Sequence, residues 1–252
     1  MISKNKIKFI RSLERKKARK EQGVFVVEGP KNVADMMPAF KCVYVAATKK
    51  WLCSNENVLK GVEHDEISQE ELRKVSFQEH PQQVIAVFSL PDYVLDLSSA
   101  KKQIILALDD IQNPGNLGTI IRIADWFGIN DIICSQATAD AFSPKTVQAA
   151  MGSIARVRIH YADLKEILKD IQPDIPVYGT FLDGDDIYQK QLGTSGIIVM
   201  GNEGNGISDE IRQLVTEKLT ISHYNKTGEH PDSLNVAIAT AIVCAEFRRK
   251  GN

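Results

Sequence analysis

Asn113, Asn116 and Arg122 are the residues of this chain whose types and spacing most clearly indicate chemistry. An amide both donates and accepts hydrogen bonds, and a guanidinium can grip a phosphate through two parallel N–H groups. The three residues follow the apolar run 104–108, where Asn-Pro-Gly forces a turn before residues 120–124 resume at helical spacing. Because ligands of open α/β sheets bind where strands end, Asn113 and Arg122 are predicted to border a binding site.

A glycine-rich loop is the second candidate segment. Gly201, Gly204 and Gly206 surround Glu203 directly after the apolar run 197–200. A tight turn explains the glycines but not the lone glutamate among them. The loop lacks the lysine of a phosphate-binding P-loop and the G-x-G-x-x-G spacing of a dinucleotide site, which argues against a nicotinamide-dependent enzyme. Its backbone N–H and C=O groups, without a positive charge, suit a neutral or cationic ligand.

Ser233 and Asn235 form the third candidate segment, at the start of a predicted alanine-rich closing helix. Ser233 is a good N-cap residue, so helix capping alone is sufficient to explain it. The small apolar residues within 236–247 predict a helix that packs closely, either on its own sheet or on a partner subunit.

Alternating strands and helices must position these segments. From residue 103 onward the alternation predicts a mostly parallel sheet covered by helices. A small α/β unit precedes it, and the stretch 91–102 mixes proline, serine and lysine without a sustained period. The sequence therefore predicts an α/β protein with one domain at 1–90, a linker at 91–102 and a second domain at 103–252.

The start of the chain is strongly basic. Residues 1–20 carry nine lysines and arginines against one glutamate, although the whole chain has a net charge of −1. Apolar residues recur there at helical spacing, which predicts an amphipathic helix. A localised basic face is typical of nucleic-acid binding, and a solvated surface helix is the alternative. The candidate RNA contacts are Lys4, Lys6, Lys8, Arg11, Arg15, Lys16, Lys17 and Arg19.

Composition argues against several classes of protein. The four cysteines show no C-x-x-C spacing, so neither a disulfide framework nor a metal site is predicted. The apolar runs are far shorter than the roughly 20 residues that span a bilayer, and no hydrophobic signal core opens the chain. These features predict a cytoplasmic protein without a membrane segment.

Together the three segments resemble the signature motifs of the SpoU family of RNA 2′-O-ribose methyltransferases, in the SPOUT superfamily. They read N-P-G-N-L-G-x-x-x-R at 113–122, G-N-E-G-x-G-I at 201–207 and S-L-N-V-A at 233–237. Residues 8–33 resemble the start of the ribosomal-protein-like RNA-binding domain that many members carry. The resemblance implies a C-terminal domain with a deep trefoil knot, S-adenosylmethionine bound in the knot, and a homodimer formed through that domain.

The resemblance also assigns site residues by position. It implies a catalytic group of Asn113, Arg122, Glu203, Ser233 and Asn235. It implies cofactor contacts by Thr180, Gly201, Ile221 and Leu234. The chain departs from the family after Ile221, where Ser222 stands in place of the usual proline.

The implied reaction is methyl transfer from S-adenosylmethionine to a ribose 2′-hydroxyl, with ribosomal RNA favoured over transfer RNA as substrate. Arg122 suits a phosphate clamp, and Glu203 suits a role in orienting it. A guanidinium stays protonated in proteins and is a poor proton acceptor. We therefore expect Arg122 to stabilise the forming alkoxide, with Asn113, Ser233 or a water molecule nearby. An RNA-binding module without activity is the alternative, and the intact motif residues argue against it.

Overall fold

The computed structural model describes residues 2–224 and 233–250, with Lys250 described by its backbone alone. The chain forms two compact units. Unit 1 contains the described residues up to Asp92 together with Asp140–Arg156, and unit 2 contains Tyr93–Ala139 and the described residues from Val157 onward.

The first 89 residues supply a four-stranded sheet and the helices around it. The elements in chain order are α1 (Lys4–Ser12), α2 (Lys16–Gln22), β1 (Val24–Glu28), α3 (Pro30–Met36), β2 (Cys42–Ala47), α4 (Lys49–Ser54), a 3-10 helix (Glu56–Leu59), β3 (Glu63–Glu66), α5 (Gln69–Val75) and β4 (Val84–Ser89). The strand order is β1-β4-β2-β3, with β4 antiparallel to both of its neighbours. A core of fully buried side chains that includes Ile10, Leu13, Leu72 and Ile85 holds this sheet to α1 and α5.

The remaining elements are a 3-10 helix (Leu97–Lys101), β5 (Ile104–Leu108), α6 (Pro114–Trp126), β6 (Asp131–Cys134), α7 (Pro144–Ala150), a 3-10 helix (Ser153–Ala155), β7 (Arg158–Tyr161), α8 (Leu164–Lys169), β8 (Val177–Asp186), β9 (Gly196–Met200), α9 (Asp209–Arg212), β10 (Glu217–Thr220) and α10 (Val236–Lys250). Six of these strands form one sheet in the order β10-β8-β9-β5-β6-β7. Every neighbouring pair in it is parallel. The predicted α/β class, with a parallel sheet after a small α/β unit, is confirmed.

The basic segment at the start of the chain differs from its prediction, because it forms two helices instead of one. Leu13 is fully buried at the end of α1, and the chain turns there before α2 begins at Lys16. The buried guanidinium of Arg19 donates to the backbone oxygens of Leu13 and Glu14, and so satisfies carbonyl groups that the interruption leaves without a helical partner.

The segment Asp140–Arg156 belongs to unit 1, although the sequence places it inside the predicted domain at 103–252. Helix α7 packs against β1, and the ring of Phe142 lies 4.9 Å from that of Phe25. Asp140 accepts a hydrogen bond from the buried Arg19 at 2.5 Å. Unit 1 therefore acquires part of its aromatic core and one of its ion pairs from far along the chain.

Strand β8 contains an excursion that shapes the site described below. Gly179 lies opposite Lys218 of β10, whereas the next pair joins Asp185 to Leu219. Residues 180–184 therefore leave the ladder before β8 resumes. Such an irregularity commonly re-aims side chains next to a binding site.

Within the described part of the chain, no helix is long and apolar enough to cross a bilayer. Across residues 2–224 and 233–249, no group of three or more histidine, cysteine, aspartate or glutamate side chains is arranged to hold a metal ion.

Candidate functional site at the carboxyl edge of the parallel sheet

Asn113 starts helix α6 directly after the turn that follows β5. Its Oδ1 accepts hydrogen bonds from the backbone N–H groups of Gly115 at 2.8 Å and Asn116 at 3.2 Å. Pro114 occupies the first helical turn, where its missing N–H costs nothing. The side chain of Asn113 is therefore committed to capping, and it fixes the direction in which α6 leaves the sheet.

Asn116 links the three candidate segments. Its Nδ2 donates to Oε1 of Glu203 at 2.6 Å, and its Oδ1 accepts from Nδ2 of Asn235 at 3.1 Å. Asn235 in turn accepts from the backbone N–H groups of Ala237 and Ile238 at the start of α10. A chain of amides and one carboxylate thus joins α6, the glycine-rich loop and α10.

Glycine at position 201 is required by a close backbone approach. A Cβ atom on Gly201 would lie 2.3 Å from the carbonyl carbon of Gly206 and from the backbone nitrogen of Ile207, closer than real Cβ contacts come. Asn202 also stabilises the turn, since its Oδ1 accepts from the N–H groups of Gly204 and Asn205. The glycine-rich loop is therefore a compact turn with a defined shape.

Two acids at the end of β5 and its following turn attach this loop to the sheet. Asn202 Nδ2 donates to the backbone oxygen of Asp110 at 2.7 Å. The buried Asp109 accepts from the N–H of Ser208 at 2.8 Å, just before α9. Both contacts cross from β5 to the segment after β9, and these two strands are neighbours in the sheet.

A cavity of about 510 Å³ lies beside the loop in unit 2. The residues that line it are Thr180, Phe181, Leu182, Asp183, Met200, Gly201, Asn202, Glu203, Gly204, Asn205, Gly206, Ile207, Arg212, Thr220, Ile221, Ser233, Leu234, Val236 and Ala239. All four residues predicted to contact a cofactor are among them, as are Glu203 and Ser233. Asn113, Arg122 and Asn235 are not.

Arg212 brings a positive charge to the cavity that the loop sequence does not contain. Its guanidinium carbon lies 4.5 Å from the centre of the Phe181 ring, and its Nη2 donates to Asp183 at 2.6 Å. The sequence provides no signal for this placement, because Arg212 lies in α9 and Phe181 in the excursion of β8. Among the described residues, one arginine and two carboxylates therefore line the cavity.

Arg122 lies on the exposed side of α6, six residues beyond Asn116 and so about 9 Å further along the helix axis. The carboxylate of Glu203 is positioned by Asn116, whereas its expected role in orienting the guanidinium of Arg122 stays a prediction. Asn116 stands in the first motif, and the sequence alone assigned it no role. The structure identifies Glu203 and Asn235 as its partners.

The basic candidates of unit 1 fall into two groups. Lys6 is ion-paired with Glu63 and Asp65, and Arg19 is 3% exposed and donates to the backbone oxygens of Leu13 and Glu14. These two cations are engaged within unit 1, and the burial of Arg19 removes it from a surface that contacts RNA. The exposed members of the set are Lys4, Lys8, Arg11, Arg15, Lys16 and Lys17.

Comparison with known sequences identifies the family. Residues 103–245, more than half of the chain, match the family described as SpoU rRNA Methylase family. The chain belongs to the SpoU family. Residues 4–86 of this SpoU-family chain match a second description, the MRM3-like substrate binding domain. The two matches cover the site at the sheet edge and nearly all of the basic segment.

Relatives and solved structures extend this result over the whole chain. The SpoU-family chain is 30% identical over 245 residues to the 23S rRNA (guanosine(2553)-2'-O)-methyltransferase RlmP of Bacillus subtilis, covering 96% of both proteins. It is 41% identical to the structure of a putative RNA methyltransferase of the TrmH family from Porphyromonas gingivalis, with a TM-score of 0.89 and 100% of both chains covered. An AdoMet-bound rRNA methyltransferase from Sinorhizobium meliloti is 29% identical, with a TM-score of 0.85 over 99% of this chain and 96% of that one.

Proposed function

We propose that the protein transfers a methyl group from S-adenosylmethionine to a ribose 2′-hydroxyl of RNA, with ribosomal RNA the favoured substrate and transfer RNA the alternative. The observation that carries this proposal is the cavity lined by residues of the second and third motifs, to which Asn116 of the first motif is joined through Glu203 and Asn235. The relative from Bacillus subtilis is named as a 23S rRNA 2'-O-methyltransferase, which supports both the reaction and the substrate.

The cavity suits S-adenosylmethionine. A volume of about 510 Å³ is within the range of sites for small molecules, roughly 300–1,000 Å³. The lining combines apolar side chains such as Ile207 and Leu234 with the backbone of residues 201–206, which offers donors and acceptors to an adenosine. Glu203 and Asp183 favour the positive sulfonium and amino groups, whereas Arg212 can pair with a carboxylate. We assign Thr180, Gly201, Ile221 and Leu234 as cofactor contacts.

Bound S-adenosylmethionine supplies an electrophilic methyl group, so the residues of the chain must hold the ribose oxygen in line with it and dispose of the hydroxyl proton. Holding the reacting groups in line can supply roughly 7–11 kcal/mol of the barrier. We assign Arg122 as the group that grips an RNA phosphate and stabilises negative charge on the oxygen. We assign Asn113, Ser233 and Asn235 to positioning the groups that react at this site.

Glu203 receives a more specific assignment from its contacts. One carboxylate oxygen accepts from Asn116, and the other has no donor among the described residues. The carboxylate is therefore held in place while one oxygen stays available to a ligand at the cavity. In this proposal Asn116 sets the position of Glu203, and Glu203 contacts the substrate or cofactor.

Unit 1 is proposed to bind the RNA through the exposed cations of α1 and α2. Removing one cation that pairs with a phosphate should reduce the slope of log affinity against log salt by about 0.7–0.9. Combined replacement of Lys4, Lys8 and Arg15 by alanine should therefore weaken RNA binding and flatten the slope, as measured by fluorescence anisotropy. An unchanged slope would show that this surface does not contact RNA.

Several finer features belong to the same proposal. The chain is divided into an RNA-binding domain at 1–90, a linker at 91–102 and a methyltransferase domain at 103–252. The methyltransferase domain contains a trefoil knot, and the protein is located in the cytoplasm, where ribosomes assemble.

A homodimer through the C-terminal domain is supported by apolar side chains exposed on the paired helices α6 and α10, with Trp126 85% and Ile238 54% exposed. Light scattering should give the mass of a dimer for the wild type and of a monomer for Trp126→Glu.

Two measurements test the central proposal. Calorimetry should show one S-adenosylmethionine bound per chain, and no binding at high micromolar cofactor would exclude the enzyme. Mapping of ribose methylation in RNA from cells with and without the protein should reveal one position in ribosomal RNA that is methylated only when the protein is present. Such a position in transfer RNA would favour the alternative substrate, and no such position in either RNA would favour an RNA-binding module without activity.

A further inference from the structure

Arg11 differs from the other cations of the basic segment because it rests on an aromatic ring. Its guanidinium carbon lies 4.8 Å from the centre of the Phe77 ring, and its Nη1 donates to the backbone oxygen of Ser76 at 2.6 Å. Arg11 is exposed, whereas Phe77 is half-buried against the core of unit 1. Four of the five N–H groups of Arg11 have no partner among the described residues. The guanidinium is thus held in place by Phe77 and Ser76 and remains exposed to solvent.

The turn that carries Phe77 is held rigid by a buried carboxylate. Glu28, the last residue of β1, accepts from the hydroxyl of Ser76 and from the backbone N–H of Phe77 at 2.8 Å. Burial raises the pKa of Glu28, and the bonds from Ser76 and Phe77 together with the nearby charge of Arg11 oppose that effect. Both carboxylate oxygens of Glu28 are thus used by the turn, which leaves the guanidinium of Arg11 without a direct bond to this acid. The platform is therefore held in place by Glu28, whose carboxylate makes no hydrogen bond to Arg11 but lies close enough to interact with its charge.

Two glutamine amides lie beside this platform. Nε2 of Gln78, the residue after Phe77, donates to Oε1 of Gln148 at 2.8 Å, and Asn32 Nδ2 donates to the same oxygen at 3.3 Å. The amide nitrogen of Gln148 and Oε1 of Gln78 have no partner within the described part of unit 1. A donor and an acceptor are thus presented side by side, as the edge of a nucleobase requires.

A second contact between a cation and an aromatic ring in unit 1 differs from this one, because its cation is already paired with acids. Lys6 lies 4.6 Å from the centre of the Tyr44 ring. However, its ammonium is ion-paired with Glu63 and Asp65, and Tyr44 itself donates to Asp65. A point charge held in this way offers no flat surface to a ligand, whereas an exposed guanidinium does.

We propose that Arg11, supported by Phe77, is a stacking site for an unpaired nucleobase of single-stranded RNA, and that Gln78 and Gln148 contact the edge of that base. Guanidinium planes and aromatic rings are the groups on which unstacked RNA bases rest. The inference builds on the proposed RNA substrate and gives Arg11 a role other than neutralising phosphate. In this proposal the segment Asp140–Arg156 of unit 1 also supplies Gln148 to the RNA-binding surface.

The test compares Arg11→Lys with Lys8→Ala in the full chain, using anisotropy of a labelled 12-nucleotide oligouridine and of its duplex with oligoadenosine. Arg11→Lys keeps the charge and removes the plane, so it should weaken binding of the single strand about tenfold with an unchanged salt slope. It should leave duplex binding within twofold, because paired bases are already stacked. Lys8→Ala, which removes an exposed cation of the same helix, should weaken both and flatten both slopes. Equal affinity of Arg11→Lys and wild type for the single strand would overturn the proposal, as would equal reductions on both RNAs.

Gln148→Ala supplies a second, independent variant on an exposed side chain. It should change the ratio of affinities for oligouridine and oligocytidine by at least threefold, and an unchanged ratio would overturn the contact with the base edge. Circular dichroism checks that each variant is folded. Calorimetry with S-adenosylmethionine on the same samples separates the two proposals: failure of the wild type to bind cofactor removes the methyltransferase, whereas the comparison of RNA affinities decides the stacking site alone.

Discussion

At the carboxyl edge of the parallel sheet, Asn116, Glu203 and Asn235 form an open chain of amides and a carboxylate, whereas Asp131, Arg158 and His160 form a closed ion cluster at the amino edge. Asp131 begins β6 and Arg158 begins β7, so the two are paired in register. Both oxygens of Asp131 are occupied, by Arg158 at 2.7 and 2.5 Å and by His160 at 2.9 Å.

The two clusters differ in unused hydrogen-bonding capacity. Burial opposes ionisation of Asp131, but the bonds from Arg158 and His160 outweigh it and lower the pKa of the carboxyl. The cavity of about 510 Å³ is lined by none of these three residues, and the acid of the cluster has no oxygen left to offer a ligand. Glu203 lies beside that cavity, and one of its oxygens has no donor among the described residues. A polar cluster at a strand end thus indicates a binding site when its groups are fixed in position but keep unused hydrogen-bonding capacity. When every group already has its hydrogen-bond partners, the cluster indicates a structural role.

The largest effect is expected for Arg122→Ala. Removal of the proposed clamp should lower turnover about 1,000-fold while cofactor affinity stays within a few-fold, since Arg122 does not line the cavity. Single-turnover methylation and calorimetry measure the two quantities. Arg158→Ala is the matched control, because it removes a guanidinium from the closed cluster and should reduce stability more than turnover. Equal reductions of turnover and cofactor affinity in Arg122→Ala would assign that residue a structural role.

Asn116→Ala should have the next largest effect. Without its bonds to Glu203 and Asn235 the carboxylate is no longer held in one position, and displacements of about 1 Å can cost about 100-fold in rate. Asn130→Ala, which alters an exposed asparagine before β6, is the control with unchanged turnover. If Asn116→Ala retained full turnover at normal stability, the hydrogen bonds of Asn116 to Glu203 and Asn235 would have no role in catalysis.

Asp131→Asn should affect stability without affecting the site. It leaves Arg158 without its anion, but Arg158 is 47% exposed and can regain water, so the free energy of unfolding should fall by about 2 kcal/mol. Urea denaturation measures this quantity, and cofactor affinity should not change. A large decrease of cofactor affinity in a folded variant would show that the cluster at the amino edge also contributes to cofactor binding.

The stability difference between wild type and Asp131→Asn should depend on pH in a definite direction. The folded-state pKa of Asp131 is lowered, so its contribution is fully present above the ordinary value of 3.8 and is lost as the pH falls through the folded pKa. Denaturation curves at pH 7 and at successively lower pH should therefore converge only below 3.8. Convergence near neutral pH would show that another group dominates this cluster.

Arg212→Met should have the smallest effect, because the guanidinium is partly exposed and already paired with Asp183. We expect cofactor affinity to fall about threefold to fivefold by calorimetry, within the range of exposed ion pairs. Lys218→Met is the matched control, since Lys218 lies 5.6 Å from the same Phe181 ring but does not line the cavity. Identical affinities of the two variants would show that Arg212 does not face the cofactor.

Much of the fold was predictable because it depends on local pattern. Fully apolar runs such as Ile104–Leu108 and Gly196–Met200 indicated strands buried on both faces, and both lie next to each other in the parallel sheet. The break between α1 and α2 and the excursion of β8 were not predictable. Both depend on which surface the segment meets after folding.

The sequence by itself determined the family motifs and, through the resemblance, six of the residues that line the cavity, because a motif records chemistry that recurs at fixed spacing. Tertiary structure alone decided which charged side chains are buried, which are ion-paired and which remain exposed. Arg19 and Lys6 carry the same charge as Lys4 and Lys8, yet Arg19 is buried and Lys6 is paired with acids distant in sequence. Likewise Gln148 reaches Gln78, and Arg212 reaches Phe181, only after folding. Composition counts charges, whereas burial and partners decide which of them remain available to a ligand.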